Sequence, residues 1–446
     1  MRRFYYFALV SVLGLLAIGQ ALATPVIQHW QTANGLRVYF VPAPEIPMID
    51  IRLVFDAGSS RDQRFPGLAS LTAGLLDEGS GDWDADAIAN RFEDFGAEYS
   101  ASVLRDMAWI SLRSLSAAEF FDPALEAFIR VVTSPSFPER DFQRLKNIMR
   151  VAIQGQNQEP DAIAEKAFYR AVYGDHPFAN PVNGTEQSID AIALEDVKDF
   201  HRRYLVARNA VLVLVGDINK EDAERVARRI GKRLPAGKPA PTLPSVEALK
   251  VKRNIHIPFP STQVHVYMGQ PGIRRGDPDY FPLYVGNHML GGSGFNSRLV
   301  KEVRVKRGLS YSIYSYFFPK IVKGPFEIVL QTRVDQAKQA VTLTRQTIEE
   351  FIQNGPKKGE LEASIKNITG GFPLRIDSNA DIVSYLALIG FYQLPLSYLD
   401  TFNTHIRSVN KETIQDAFKR RVHLDEMVTV IVGGEPQERD EHAADE

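Results

Sequence analysis

The chain has 446 residues, 44% of them hydrophobic and 24% charged, with 52 basic side chains against 54 acidic ones. A formal net charge of −2 excludes the basic field that a nucleic-acid or anionic-surface binder needs, and the absence of cysteine excludes disulfides, thiolate catalysis and thiolate metal sites. The length is too great for one ordinary domain.

Residues 1–23 read as a secretory signal. Arg2 and Arg3 precede an apolar run over 4–18, and Ala21-Leu-Ala23 supplies a small-residue cleavage site. An uncleaved N-terminal anchor is the other reading, although the run is shorter than the ~20 residues of a membrane span. Either way, a periplasmic or otherwise exported location is expected. Strand patterns follow at 36–41 and 49–55, helical ones at 68–76 and 85–95, then strands at 98–104 and 108–115. Three helical stretches lie around 119–133, 138–157 and 160–173. Phe200-His-Arg-Arg-Tyr204, an apolar strand at 210–216 and a helix from about Lys220 end the first half. Pro235, Pro239, Pro241 and Pro244 then predict an extended linker over 235–250.

The second half repeats this order. A strand near 263–268 precedes a helix near 280–290, strands near 310–318 and 325–332, and helices near 335–353, 357–369 and 379–391. It ends in Phe418-Lys-Arg-Arg421 and a Val-rich strand over 427–433. The matching endings predict a duplicated α+β unit, with halves at 24–234 and 251–436 and an acidic, solvated tail at 437–446.

Two stretches carry candidate chemistry. The first is Asp56-Ala-Gly-Ser-Ser-Arg-Asp62 followed by Pro66-Gly-Leu-Ala-Ser70-Leu-Thr-Ala73-Gly74-Leu-Leu-Asp-Glu-Gly79. It resembles the active-site segment of pitrilysin/insulinase-type zinc peptidases (inverzincins), in which a helix starting after a glycine carries His-x-x-Glu-His. Two histidines at i and i+4 share one face of a helix and can hold one Zn²⁺, while the glutamate activates the bound water. Here those positions read Ser70, Ala73 and Gly74. The family's third ligand is a glutamate on a later helix, but no acidic residue occurs between Asp141 and Glu159. The expected metal content is therefore none in this chain. Asp77 and Glu78 make a poor substitute site, being adjacent carboxylates without nearby histidines. The nine histidines show no metal spacing, and His176 reads as a capping or loop residue.

The second stretch is Leu290-Gly-Gly-Ser-Gly-Phe-Asn-Ser-Arg-Leu299 with Glu302-Val-Arg304-Val-Lys-Arg-Gly-Leu-Ser-Tyr311. The resemblance implies that Arg304 and Tyr311 are the arginine–tyrosine pair with which the family's second half reaches the substrate. A guanidinium can hold a carbonyl or carboxylate, and a phenol can donate to an oxyanion. Residue by residue, other readings stand beside these. Arg304 sits in a charged run with Lys301, Glu302, Lys306 and Arg307, and Tyr311 heads an aromatic run suited to a strand. Gly291, Gly292 and Gly294 fit either a turn between helices or a substrate-facing loop.

Resemblance over nearly the whole mature chain implies an α+β clamshell of two homologous halves, as in mitochondrial processing peptidase. It implies a non-catalytic, substrate-binding subunit of an exported two-chain zinc peptidase. Zinc would belong to a homologous partner chain with an intact motif, and unstructured peptides would be the substrates. The alternative is an inactive peptide-binding or scaffold protein of the same fold.

Overall fold

The computed structural model describes residues 24–434. The 1–23 signal and the 437–446 tail read from the sequence lie outside the described residues.

In the first half, β1 (Gln28–Gln31), β2 (Arg37–Pro42) and β3 (Met48–Phe55) lead into α1 (Leu68–Gly74) and α2 (Ala85–Asp94). The hairpin of β4 (Glu98–Val103) and β5 (Ala108–Leu115) comes next. It is followed by α3 (Ala118–Thr133), α4 (Glu139–Gln156), α5 (Pro160–Tyr173), α6 (Glu186–Ala191) and α7 (Leu194–Tyr204), then β6 (Ala210–Gly216) and α8 (Lys220–Arg233). The second half contains β7 (Arg253–Ile257), β8 (Gln263–Pro271), α9 (Tyr280–Asn287), β9 (Ser312–Phe317) and β10 (Pro325–Arg333). There follow α10 (Ala337–Asn354), α11 (Lys358–Gly371), α12 (Asn379–Phe391), α13 (Tyr398–Ser408), α14 (Lys411–Arg421) and β11 (Val428–Val432).

Both sheets are built alike. The first has the order β1-β2-β6-β3-β5-β4 and the second β7-β11-β8-β10-β9. Each is antiparallel except where β2 pairs with β6, and where β7 pairs with β11. The Val-rich strands β6 and β11 are thus equivalent, as are the edge strands β4 and β9. Together these features make the duplicated α+β architecture expected from the sequence.

The strand Ala-Val-Leu-Val-Leu-Val-Gly of β6 is buried along its whole length, because both faces are covered. Leu212 and Leu214 enter the core of their own half, whereas Val211, Val213 and Val215 face a core dominated by second-half residues. That second cover is α12, which packs on β6, β3 and β2. The exchange is mutual. Helix α5 leaves its own half to pack on β8 and β11, burying Phe168, Tyr169, Val172 and Tyr173 against Tyr267, Val329 and Val430. The two exchanged helices hold the same place in the repeat.

Residues 234–252 contain no regular element, as the prolines require. The segment is nonetheless pinned. Arg61 Nη1 donates to the Pro241 carbonyl at 2.7 Å, Ala240 N–H donates to Asn209 Oδ1 at 2.9 Å, and Leu243 and Val246 are buried. The helix expected over 280–290 ends as an α-helix at Asn287. A π-helical turn, His288–Gly292, takes over because Gly291 lies against β9: a Cβ there would stand 2.6 Å from the Ser315 backbone nitrogen.

Candidate functional site

Helix α1 starts at a left-handed glycine. Gly67 has φ 96°, open to glycine at little cost, and its N–H and that of Ala69 donate to the buried Asp62 carboxylate at 2.7 and 2.8 Å. Burial pushes the Asp62 carboxyl well above the usual range, against the opposing pull of those two bonds. Beside it Arg61, only 4% exposed, binds both oxygens of Asp56 at 2.7 and 2.6 Å. Leu68, Ala69, Leu71 and Thr72 turn inward, leaving Ser70, Ala73 and Gly74 together on the half-exposed face.

That face does not suit a metal. Ser70 Oγ donates to the Val182 carbonyl at 2.9 Å. Ala73 offers a methyl group, and Gly74 abuts Leu145 of α4, whose Cδ2 would be 2.9 Å from an added Cβ. On α4, where the family's third ligand would come from, Val151 is 65% and Ile148 51% exposed. Arg144 spans from α4 to Glu78, forming an ion pair, and holds Asp141 at 3.2 Å. Burial raises the pKa of Asp77. The zinc-motif positions therefore converge in space as the spacing predicts, but they carry no zinc-binding chemistry. Among the described residues no group of three or more His, Asp or Glu could hold a metal ion.

The second stretch forms a continuous turn system beside β9. Gly291 is buried against Ser315, so close packing with β9 requires glycine there. Gly292 lines a cleft of about 620 Å³ with His288, Asn296, Lys301 and Arg375. Gly294 (φ +59°) faces open space. Arg304 lies on a second π-helical turn, Val300–Val305, a form that recurs at functional sites. Three of its charged neighbours pair off: Lys306 Nζ and Arg307 Nη1 both reach Glu302, at 2.6 and 2.9 Å, and Arg298 holds Glu360 at 2.6 Å. Among the described residues Arg304 makes no ion pair. Its guanidinium lies 4.9 Å from the ring centroid of the exposed Phe295. Tyr311 precedes β9 and is 65% exposed; its backbone N–H donates to the Gln331 carbonyl, while its ring joins no core cluster. Tyr314, Tyr316 and Phe318 instead form a ladder along one side of β9, with centroids 5.6 and 5.5 Å apart.

Of the residues singled out in the sequence, Ser70, Ala73 and Gly74 share one face, and Arg304 and Tyr311 are both presented to solvent. His176 is a cap: its Nδ1 accepts from Phe178 N–H at 3.1 Å. Two arginines that no motif marked, Arg275 and Arg375, face a cleft beside β9.

Residues 37–186 match the sequence profile of the insulinase family (peptidase family M16), and residues 191–368 match that of the peptidase M16 inactive domain. A Helicobacter pylori protein described as non-peptidase homolog YmxG is 27% identical over 436 residues, covering 95% of this chain and 98% of its own length. A Bacillus subtilis protein described as an uncharacterized zinc protease, also YmxG, is 24% identical over 79% of this chain and 85% of its own length. Among solved structures, a peptidase M16 inactive domain from Pseudomonas fluorescens superposes with a TM-score of 0.89 at 40% identity, covering 93% of this chain and 99% of that one. A protease from Helicobacter pylori has the same fold, with a TM-score of 0.83 at 19% identity over 92% of this chain and 100% of that one.

Proposed function

Because the chain belongs to the M16 peptidase family as one of its catalytically inactive members, we propose that it is the substrate-binding subunit of a two-chain zinc peptidase, paired with a homologue that has an intact zinc motif. The observation that carries this reading is Arg304 and Tyr311, both exposed: among the described residues the Arg304 guanidinium makes no ion pair, while Arg298, Lys306 and Arg307 around it are each held by a carboxylate. An unpaired guanidinium keeps its donors for a ligand. A phenol projecting from the first residue before a strand is positioned by that strand's backbone hydrogen bonds. In the assembled enzyme Arg304 binds a peptide carbonyl or carboxylate, and the Tyr311 hydroxyl donates to the oxygen on which negative charge develops. Zinc chemistry is left to the partner, since Ser70, Ala73 and Gly74 do not fit the ion. The N-terminal sequence supports export of the pair to the periplasm or beyond.

The test is reconstitution. The mature chain alone leaves unstructured peptides intact, and its mixture with a motif-bearing homologue cleaves them. In that mixture Tyr311→Phe lowers turnover by about 10²-fold, the scale of losing one transition-state donor, and Arg304→Ala weakens both binding and turnover. Unchanged kinetics in both variants would sink the assigned roles. Peptide binding without cleavage in any mixture would instead identify an inactive peptide-binding or scaffold protein.

A further inference from the structure

A second cleft, of about 280 Å³, lies beside the edge strand β9 and is lined by Arg275, Arg375, Tyr280, Tyr284, His288 and Tyr316, with no carboxylate in its wall. Arg275 sits on the turn before α9. Its guanidinium carbon is 5.3 and 5.4 Å from the ring centroids of Tyr280 and Tyr392. Its Nε is buried and has no hydrogen-bond partner. Arg375 follows α11; its Nη1 donates to the Tyr284 hydroxyl at 2.9 Å. Among the described residues neither arginine makes an ion pair. His288 does not add to this charge. Its ring is fixed between Ser364 Oγ at 2.5 Å and Asn367 Oδ1 at 3.1 Å, and burial lowers its pKa. The buried carboxylate behind Tyr392, Asp106, is engaged elsewhere: it accepts from the Tyr392 hydroxyl at 2.7 Å and from Ile321 N–H at 3.1 Å, and faces Lys320 at 3.6 Å.

A buried guanidinium without a counter-ion, Arg275, is costly to hold beside a second cation, and its buried N–H without an acceptor adds to that cost. A bound anion removes both penalties. The planar guanidinium fork matches a carboxylate, and tyrosine walls suit the chain that bears it. The cleft is also placed for a peptide. Tyr316 lies on β9 five residues beyond Tyr311, about 17 Å along an extended strand. Strand β9 is a sheet edge without a charged residue; its outer side is covered at Ser315, whose carbonyl accepts from Asn287 Nδ2 at 2.7 Å, so an extended chain lies beside β9 without a continuous backbone ladder.

We propose that this cleft is a carboxylate-binding subsite, which takes the C-terminal carboxylate or an acidic side chain of an extended peptide laid along β9. The peptide as the source of that carboxylate rests on the substrate-binding reading above; the need of the cleft for an anion does not. The test uses the mature chain without any partner, in calorimetric titrations with three ten-residue peptides of one neutral sequence. One is a free acid, one is its C-terminal amide, and one is the amide with a single internal glutamate. Inorganic phosphate is titrated separately. Preference for the free acid over the neutral amide by about tenfold or more, the scale of a charge-assisted hydrogen bond, assigns the C-terminal carboxylate. The same preference for the glutamate peptide assigns an acidic side chain. Arg275→Gln and Arg375→Gln each abolish the preference, bringing the free acid or glutamate peptide to the same affinity as the neutral amide; Arg375 is exposed, so its variant reports even if the Arg275 change disturbs folding. Equal affinity for all three peptides, or binding of none, overturns the proposal. So does phosphate binding tighter than any peptide, which would assign the cleft to a free anion. Because no partner is present, a carboxylate preference stands even if reconstitution gives no peptidase, and its loss leaves the pairing experiment open.

Discussion

Glu327 stands on β10 beneath α5, 8% exposed, with Oε2 buried and unpartnered. It is faced by Glu165 and Asp161 of α5, by Arg105 of the β4–β5 turn and by Lys320. Burial, reinforced by Glu165, pushes its carboxyl up to about 7, against the pull of Arg105. The folded-state pKa is thus raised above the unfolded value. Below pH ~4.5 both states hold the proton and there is no penalty; as pH rises from ~4.5 to about 7 the folded state keeps a proton that the unfolded chain has released, so stability falls across that window and levels off above it. The full loss is on the order of 3 kcal/mol. Urea unfolding at pH 5 and pH 8 checks this: the wild-type chain loses stability relative to Glu327→Gln over that interval. Parallel behaviour of the two proteins would show that the carboxyl is ionised throughout. This titration lies at the joint between the halves, since Glu327 belongs to the second and Glu165, Asp161 and Arg105, which face it, to the first.

At the scale of elements, the degenerate zinc site belongs to the pair α1 and α4. Ser70→His, Ala73→Glu and Gly74→His together restore the motif on α1 without a carboxylate on α4. The triple variant supplies two ligands and a base, fewer than a closed site needs. Gly74→His presses on Leu145, but the contact is with the end of a flexible side chain. An overpacking cost of about 1–3 kcal/mol is offset only slightly by helix propensity, in which histidine exceeds glycine by about 0.3 kcal/mol. The variant is therefore expected to fold, to hold no stoichiometric zinc after dialysis and to leave peptides uncleaved. Metal analysis and peptide assays decide it; robust hydrolysis would mean that a third ligand reaches the face from outside α4.

For the whole molecule, the exchange of α5 and α12 makes each half depend on the other. Without α12 the first sheet exposes Tyr39, Val54, Val211 and Val213; without α5 the second exposes Tyr267, Val329 and Val430. The burial of a single large side chain contributes about 1.5–3 kcal/mol, so the loss at either exposed face is comparable to the whole net stability of a typical domain, about 5–15 kcal/mol. Residues 24–250 and 251–434 expressed separately are expected to be insoluble or loosely packed, and to regain near-ultraviolet dichroism on mixing. The intact chain is expected to unfold in one transition by both far- and near-ultraviolet probes. Cooperative unfolding of an isolated half would show that its sheet finds another cover.

Much of this was legible locally. Helices near 160–173 and 379–391 and the strand at 210–216 follow from apolar periodicity and length, and the observed elements have those bounds. The loss of zinc chemistry at Ser70, Ala73 and Gly74 is a matter of side-chain identity, which no packing can change. Other features depend on residues far apart in the chain. Periodicity shows that α5 has an apolar face but not which sheet it covers, because both sheets offer similar Val-rich surfaces. The proline-rich linker reads as extended, but its anchoring by Arg61 and Asn209 depends on residues more than thirty positions away. A charged run cannot reveal that Lys306 and Arg307 share Glu302 and leave Arg304 without an ion pair, since that follows from the π-helical turn. Arg275 and Arg375 are separated by two strands and three helices, and only the folded chain brings their charges to one cleft. Local sequence determines which chemistry a segment can carry. Tertiary structure decides which charges are left unmatched, because pairing depends on distance in space.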